Sequence, residues 1–270
     1  MSSLSQAAKR RLPPRVWGFL RGGYLATRDM ATIANPRFWA NAGRIQTYKD
    51  CHKGERCFII GNGPSLKRTD LSLLESEYTF GLNRIYLAFD RLGFSTTYYV
   101  SVNDLVIRQC AEEIRRLSCP KFSSWDNRGR LGNRSDMMYL RRVPGPSFST
   151  DIAYGVWEGA TVTYVAMQVA YYMGFSRVIL VGVDHHFETK GAPHKEIVSE
   201  GNDTNHFDNN YFGKGFRWNL PDLATSELAY SIARLQFESD NREIIDATVG
   251  GKLTVFRKIE FTSLFSRSGL

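Results

Sequence analysis

The chain has 270 residues, of which 43% are hydrophobic, and its formal net charge is +8. This length fits one large α/β domain or two small ones, and the composition excludes a collagen-like, coiled-coil or intrinsically disordered chain. No stretch of about 18 apolar residues occurs, and the start lacks the apolar core of a signal peptide. We therefore predict neither a membrane span nor secretion.

The positive charge is concentrated at the beginning of the chain. Residues 1–56 hold 11 of the 35 Lys and Arg residues but only three of the 27 Asp and Glu residues, so this segment carries the whole net charge. A positive net charge for the whole chain suggests a nucleic-acid ligand. The remaining residues, however, have no excess of basic side chains and so cannot form a positive surface along a phosphate backbone. We do not expect nucleic acid as a partner.

Residues 1–50 form a basic, aromatic arm that we predict to be separate from a domain over 51–270. One interpretation is an arm that packs on its own domain or on a partner subunit. The other is a segment on an anionic membrane surface, with aromatic rings in the interface and arginines on lipid phosphates. Gly22-Gly23 interrupts a long helix, which weakens the membrane interpretation. The aromatic residues concerned are Trp17, Phe19, Tyr24, Phe38 and Trp39.

Strand and helix patterns alternate after the arm. Runs rich in β-branched and aromatic residues predict strands, and apolar residues at helical spacing predict helices. Polar, Gly- and Pro-rich stretches over 124–150 and 188–222 predict loops. The predicted strands are 56–61, 78–85, 96–104, 119–125, 176–187 and 242–251, and the predicted helices are 67–76, 104–117, 160–174 and 225–239.

This alternation predicts an α/β fold, a doubly wound, mostly parallel, Rossmann-like sheet with helices on both faces. The four cysteines have neither CxxC nor metal-ligand spacing, so a reducing cytoplasm is the simplest location. They are Cys51, Cys57, Cys110 and Cys119.

The first predicted strand ends in a glycine-rich turn, Gly61-Asn62-Gly63-Pro64-Ser65. Ligands of doubly wound sheets bind beyond the carboxyl ends of the strands. Glycines allow a tight turn and a close approach to the main chain, and Asn and Ser add side-chain donors. The turn therefore predicts a phosphate or nucleotide cradle, although it is neither a Walker A loop nor a full GxGxxG. The alternative is that the glycines serve packing alone.

Three further residues are predicted to lie at the edge of the sheet where ligands bind. Asn83 and Asn103 end the next two strands, where they can read a base or ribose or simply cap a turn. Thr161 begins an apolar helix whose first N–H groups can hold an anion, with ordinary capping as the alternative.

The strand over 176–187 ends in Asp184 and His185, which can bind a sugar hydroxyl or a metal or take part in catalysis. The polar segment that follows suits a loop that orders over a sugar. Its His206 is the candidate general base, because imidazole exchanges protons near neutral pH; a solvated loop histidine is the alternative.

Several stretches over residues 50–260 resemble known families. FIIGNGPSL, GLNRIYL, YYVSVND, GATVTYVAMQVAYYMGFSRVILVGVDHHF and IIDATVGGKLTVF are similar to the archaeal-type 6-hydroxymethylpterin diphosphokinase domain. Bacterial relatives of this domain accompany surface-polysaccharide genes. The GNGPSL turn and the later G-V-D also resemble bacterial sialyltransferases that use CMP-sialic acid.

The resemblance implies roles for individual residues. By similarity to the sialyltransferases, Asn62 and Ser65 contact the CMP phosphate and ribose, with Asn83 and Asn103 at the next strand ends. Their catalytic loop reads H-Y-I-G-H; its first histidine matches His206, and its catalytic second histidine has no counterpart.

A further difference lies at the start of the apolar helix. Thr161-Val162-Thr163 replaces the T-S-G of the sialyltransferases. By similarity to the diphosphokinases, Asp104 and Asp184 are the candidate ligands of Mg²⁺ with ATP; we predict no other cofactor.

We expect a glycosyltransferase that moves a sugar from a nucleotide-activated, CMP-linked donor to a surface-glycan or lipid-linked acceptor, in the cytoplasm or at the inner membrane face. The alternatives are a Mg²⁺-dependent diphosphokinase of the pterin type and a non-enzymatic nucleotide-binding subunit of a polysaccharide assembly complex.

Overall fold

The computed structural model describes Thr27 and residues 29–189 and 191–265. It divides into two compact units, Met1–Arg44 and Ile45–Leu270. Of the aromatic residues in the predicted arm, Trp17, Phe19 and Tyr24 lie outside the described residues. Residues 29–33 are helical, and helix α1 (Pro36–Gln46) begins in the first unit and ends just past its boundary.

The second unit is built on an eight-stranded sheet in which all neighbouring strands are parallel. The strand order is β10-β9-β6-β1-β2-β3-β4-β5, and β7 and β8 form a separate antiparallel pair. The bounds are β1 Arg56–Ile60, β2 Tyr78–Leu82, β3 Tyr98–Ser101, β4 Lys121–Ser124, β5 Met137–Leu140, β6 Arg177–Val181, β7 Glu196–Val198, β8 Arg217–Asn219, β9 Glu243–Asp246 and β10 Arg257–Lys258.

The chain crosses the sheet in two directions. It moves outward from β1 to β5, returns to place β6 beside β1, and then continues the other way to β9 and β10. Right-handed crossovers therefore place the later helices on the face opposite the earlier ones, as a doubly wound fold requires. The helices are α2 Phe89–Leu92, α3 Asp104–Arg116, α4 Arg128–Leu131, α5 Val162–Tyr172 and α6 Leu223–Ser239. The predicted fold class is confirmed.

The core lies around the two central strands. Residues 57–60 and 178–181 are all completely buried, because parallel strands at the centre of a sheet are covered on both faces. Helix α5 packs across β1, β2 and β3 and against α6, which explains why almost every residue in it is apolar. Each such buried side chain contributes roughly 1.5–3 kcal/mol to stability.

Three details differ from the sequence predictions. Residues 67–76 do not form one helix: two short 3₁₀ helices, Pro64–Arg68 and Leu71–Leu74, replace it, with Asp70 capping the second. The predicted loop over 124–150 contains β5, and the one over 188–222 contains β7 and β8. These strands have only three or four residues, too few for a clear periodic pattern. Within the described residues, no helix is long and apolar enough to cross a membrane.

Candidate nucleotide site at the strand ends

The reversal of strand order falls between β1 and β6. Ile60 lies opposite Val181 on one side and Gly81 on the other, so the segments that follow β1, β6 and β2 begin at the same level. In doubly wound sheets this reversal opens the crevice in which ligands bind. The fold therefore brings the glycine-rich turn, the segment after Val181 and Asn83 to one edge.

The glycine-rich turn packs against the protein's own chain. A Cβ on Gly61 would lie 2.3 Å from the Gly182 carbonyl oxygen, and one on Gly63 would lie 1.8 Å from Oδ2 of Asp184. The N–H groups of Gly61 and Gly63 donate to the carbonyls of Val181 (2.8 Å) and Gly182 (2.9 Å). These glycines are needed for the close approach of β1 to the end of β6, as the packing alternative expects, and their N–H groups are bonded to the protein's own carbonyls. Nucleotide contact by Gly61 and Gly63 stays a prediction.

Asp184 occupies the position expected for an anion. Its carboxylate accepts hydrogen bonds from the Ser65 main-chain N–H (3.1 Å) and from Ser65 Oγ (2.6 Å). Burial raises the pKa of Asp184 and outweighs these hydrogen bonds, which favour the charged form. Pro64 opens the short helix that presents Ser65. Both Ser65 and Asp184 are therefore engaged with each other rather than with an open site.

Asn62 is the member of the turn that retains an unused polar atom. Its Nδ2 donates to the Leu82 carbonyl (2.9 Å), and its main-chain oxygen accepts from the Phe207 N–H (2.9 Å). Its Oδ1 is buried and has no hydrogen-bond partner among the described residues. Buried polar atoms without a partner are rare in folded proteins. We take this oxygen as a candidate acceptor for a ligand donor group.

His206 is held by Asp203. Nδ1 of His206 donates to Oδ2 of Asp203 over 2.7 Å, and the side chains are only 12% and 4% exposed. The imidazole stacks on Tyr211, with ring centroids 3.9 Å apart and planes 6° from parallel. This fixes the ring and its tautomer, so Nε2 carries the lone pair. An oriented imidazole of this kind can accept a proton.

A cationic cleft of about 410 Å³ lies beside this segment. Lys67 donates to Oδ1 of Asn209 over 3.1 Å, and the Arg91 guanidinium lies 5.7 Å from the Phe207 ring centroid. The volume falls in the range of small-molecule sites. The lining residues are Lys67, Leu87, Arg91, Phe207, Asp208 and Asn209.

Arg84 adds a third cation from the end of β2. Its guanidinium lies 5.0 Å from the Phe216 ring centroid and 5.7 Å from that of Tyr211, and Nη1 donates to the Asn210 carbonyl over 3.4 Å. Sequence reasoning missed Lys67, Arg84 and Arg91, because cations outside a motif give no positional signal. Each of them contacts the 207–216 segment, which is more than 100 residues away in sequence.

Three other predicted residues have structural partners. Asn83 adopts a positive φ of 47°, and its Oδ1 accepts from Ser101 Oγ over 3.1 Å. Oδ1 of Asn103 accepts from the first N–H groups of α3, and Oγ1 of Thr161 accepts from Thr163 N–H at the start of α5. Asn103 and Thr161 therefore both cap helices, as the alternative expects, and ligand contact by either residue stays a prediction.

His185 has a partner of its own. Its Nε2 lies 2.9 Å from Oε1 of Glu227 on α6, and its side chain is 8% exposed. His206 pairs instead with Asp203 in the segment after β7. The structure therefore gives the two candidate histidines separate environments.

The two predicted metal ligands do not come together. Asp184 follows β6 and Asp104 follows β3, and β1 and β2 lie between these strands. The distance across three strand spacings is about 14 Å, which is too long for one ion to bind both carboxylates. Within the described residues, no three His, Cys, Asp or Glu side chains form a group suited to a metal ion. The expected Mg²⁺ pair does not fit this arrangement.

A family model described as 6-hydroxymethylpterin diphosphokinase MptE-like matches residues 31–190, more than half of the chain. This chain belongs to the MptE-like family. The expected resemblance to the pterin diphosphokinase domain is confirmed.

One solved structure, described as the MAf glycosyltransferase from Magnetospirillum magneticum AMB-1, matches with 15% identity and a TM-score of 0.49. The match covers 84% of this chain and 39% of that chain. No curated protein matches.

Proposed function

We propose that this MptE-like chain is a transferase that moves a sugar from a nucleotide-activated donor to a hydroxyl group of a glycan or lipid-linked acceptor. One observation carries the proposal: the Asp203–His206 pair is followed directly by Phe207, Asp208 and Asn209, which line the cationic cleft, and the Phe207 N–H donates to the Asn62 carbonyl at the end of β1. An imidazole that can take a proton and cations that can stabilise a leaving phosphate suit attack by a hydroxyl on a phosphate-activated carbon.

The cleft supplies the contacts that a donor phosphate needs. Lys67 and Arg91 are exposed cations on two different segments, and both line the cleft, so we assign the donor phosphate to them. Asp208 is the acid among the lining residues, which leaves the cleft with a positive balance. Oδ1 of Asn62 can accept a hydrogen bond from an amino or hydroxyl group of the donor.

The proposed step balances as a single displacement. Nε2 of His206 takes the proton from the acceptor hydroxyl, and the acceptor oxygen forms a bond to the anomeric carbon. The bond from that carbon to the donor phosphate oxygen breaks, and the nucleotide leaves with the electron pair. Lys67 and Arg91 stabilise its added negative charge. Asp203 stabilises the imidazolium that forms.

Nucleotide release tests this proposal. The protein is incubated with CMP-, UDP- and GDP-linked sugars and a hydroxyl acceptor, and the free nucleotide is quantified by chromatography. We expect release from one donor class, reduced about 100-fold in His206→Ala. His186→Ala is the matched control, because His186 is exposed and lies in none of the contacts described above. Equal rates for both variants would remove His206 from the mechanism.

The family description favours a second candidate, transfer of a diphosphate from ATP to a hydroxymethyl group. That reaction also places an activated phosphate beside an attacking hydroxyl, but it releases AMP. Incubation with ATP, Mg²⁺ and a hydroxymethyl-substituted pterin separates the two. AMP release there, together with no turnover of any nucleotide sugar, would replace the glycosyl-transfer proposal.

A further inference from the structure

The first unit exposes an apolar face over residues 30–40. Met30 is 71% exposed, Ile33 44% and Trp39 49%, whereas the neighbouring Phe38 and Ala42 are buried. The exposure is therefore specific to one side of this segment. Smaller apolar residues of the same segment are exposed as well. We define the apolar face as Met30, Ala31, Ile33, Ala34, Pro36, Trp39 and Ala40, all of them exposed.

A hydrogen bond makes this face continuous. Trp39 Nε1 donates to the Ile33 main-chain oxygen over 2.8 Å, so the indole lies beside the turn that carries Ile33. Met30 precedes Ile33 by three residues on helical backbone, which places the two side chains on the same side. Contiguous exposed apolar surface bordered by polar residues marks an interaction site.

The charge of the N-terminal sequence indicates the kind of partner. Residues 1–44 contain eight Lys and Arg residues and a single acid, Asp29. Arg37 is exposed within the apolar face itself. A second copy would bring two positively charged segments together, which repel each other. A partner surface that carries negative charge over an apolar interior can pair with the arginines and also bury the apolar side chains.

We propose that the apolar face binds an anionic phospholipid surface. Trp39 would lie at the level of the headgroups, Met30 and Ile33 would enter the acyl boundary, and the arginines would pair with lipid phosphates. The attraction of basic residues to anionic lipid extends only about a Debye length, so it strengthens contact rather than replacing apolar insertion. The proposal does not depend on which transfer reaction the second unit catalyses.

Vesicle sedimentation with the full chain tests the proposal. Vesicles containing about one third phosphatidylglycerol are compared with vesicles of phosphatidylcholine alone. We expect the protein to pellet with the anionic vesicles at least about tenfold more strongly, and less so at about 0.5 M salt. Equal pelleting with the two lipids, or none with either, would overturn the proposal.

Two variants that each replace exposed apolar residues by serine locate the contact. The triple variant Met30→Ser/Ile33→Ser/Trp39→Ser should lower partitioning about tenfold. The control Leu228→Ser/Leu235→Ser changes exposed leucines of α6, which are 49% and 59% exposed, and should leave partitioning unchanged.

Circular dichroism and thermal unfolding verify that both variants fold. Unchanged partitioning of the triple variant would show that the apolar face does not make the lipid contact. Concentration-dependent self-association that the triple variant abolishes, without vesicle binding, would assign the face to a second copy instead.

Discussion

At the scale of single residues, the candidate base depends on the carboxylate behind it. Asp203 is a positioning residue: it holds Nδ1 of His206 over 2.7 Å and does not itself reach the proposed cleft contacts. Its loss should therefore affect the chemical step more than donor binding.

We predict that Asp203→Asn lowers kcat about 100-fold and changes the donor KM by less than about twofold. The amide can donate to Nδ1 and thereby stabilise the wrong tautomer. Asp203→Glu, which keeps the charge, should recover part of the rate. A variant that raises KM with kcat unchanged would show that Asp203 shapes the binding site and does not orient the base.

Gly63 tests why the turn carries glycine. A Cβ there would meet Oδ2 of Asp184 at 1.8 Å and the Gly182 oxygen at 2.9 Å, so Gly63→Ala should lower the free energy of unfolding by about 2–3 kcal/mol. Gly129→Ala is the control, because nothing lies within 4 Å of its Cβ position. Adding Asp184→Ala should recover part of the loss, since it removes the nearest clash. Additive losses in the double variant would contradict this account.

The same turn shows what sequence alone can establish at this scale. Its glycines predict a close approach, and the approach exists. The approaching group, however, is the chain after β6, more than 100 residues away in sequence, and no local pattern specifies it. Asn103 and Thr161 illustrate the same ambiguity, because capping a helix and binding an anion require the same side-chain atoms.

At the scale of elements, a buried lysine connects neighbouring segments in the outer half of the sheet. Lys121 on β4 is completely buried, and its Nζ donates to Oδ2 of Asp136, 2.5 Å away, and to the carbonyls of Leu117 and Cys119. Burial raises the pKa of Asp136, but hydrogen bonds from Arg134 and Lys121 outweigh it, so the pKa is lowered overall from 3.8. The contacts join the end of α3 to the β4–β5 connection.

The pH dependence follows from that direction. A carboxyl whose pKa is lowered in the folded state stabilises the protein above the unfolded pKa and loses this contribution as pH falls through the folded pKa. Asp136→Asn should therefore cost about 2 kcal/mol near pH 7 and clearly less below about pH 3. Urea unfolding at both pH values measures this. A cost that does not change with pH would show that the charge of Asp136 is unimportant.

The segment carrying His206 is attached to helix α3 through β8. Nε2 of Gln109 on α3 donates to the Arg217 carbonyl and Oε1 accepts from the Arg217 N–H, at 2.8 and 2.9 Å. The Gln109 side chain thus makes to Arg217 the two hydrogen bonds that the main chain of a neighbouring strand would make. The sequence predicted a loop here, because strands of three residues carry too little pattern to be recognised.

We predict that Gln109→Ala loosens this segment without unfolding the domain. Hydrogen exchange of the β7 and β8 amides should accelerate about tenfold, while the Tm stays nearly constant. Arg108→Ala, an exposed neighbour, is the control. Unchanged exchange in Gln109→Ala would show that other contacts hold the segment on α3.

At the scale of the whole molecule, the fold was predictable because its signals are local. Runs of apolar residues such as 178–181, which are completely buried in the structure, and the apolar helix α5 indicate a parallel sheet from local sequence alone. The site was predictable only in part. Its edge follows from the topology, and Asn62 and His206 stand near it, but the cleft joins Lys67, Arg91 and the 207–209 segment, which are far apart in sequence.

The central claim is that a nucleotide-activated donor binds with its phosphate between Lys67 and Arg91. Titration calorimetry with CMP, UDP, GDP and ATP measures this directly in three proteins: the wild type, Lys67→Ala/Arg91→Ala, and the control Arg108→Ala/Arg130→Ala, which removes two exposed charges elsewhere. The account predicts that a nucleotide binds the wild type and the control alike and binds the cleft variant at least about tenfold more weakly. Binding that is equal in all three proteins, or no binding by any nucleotide, would contradict it.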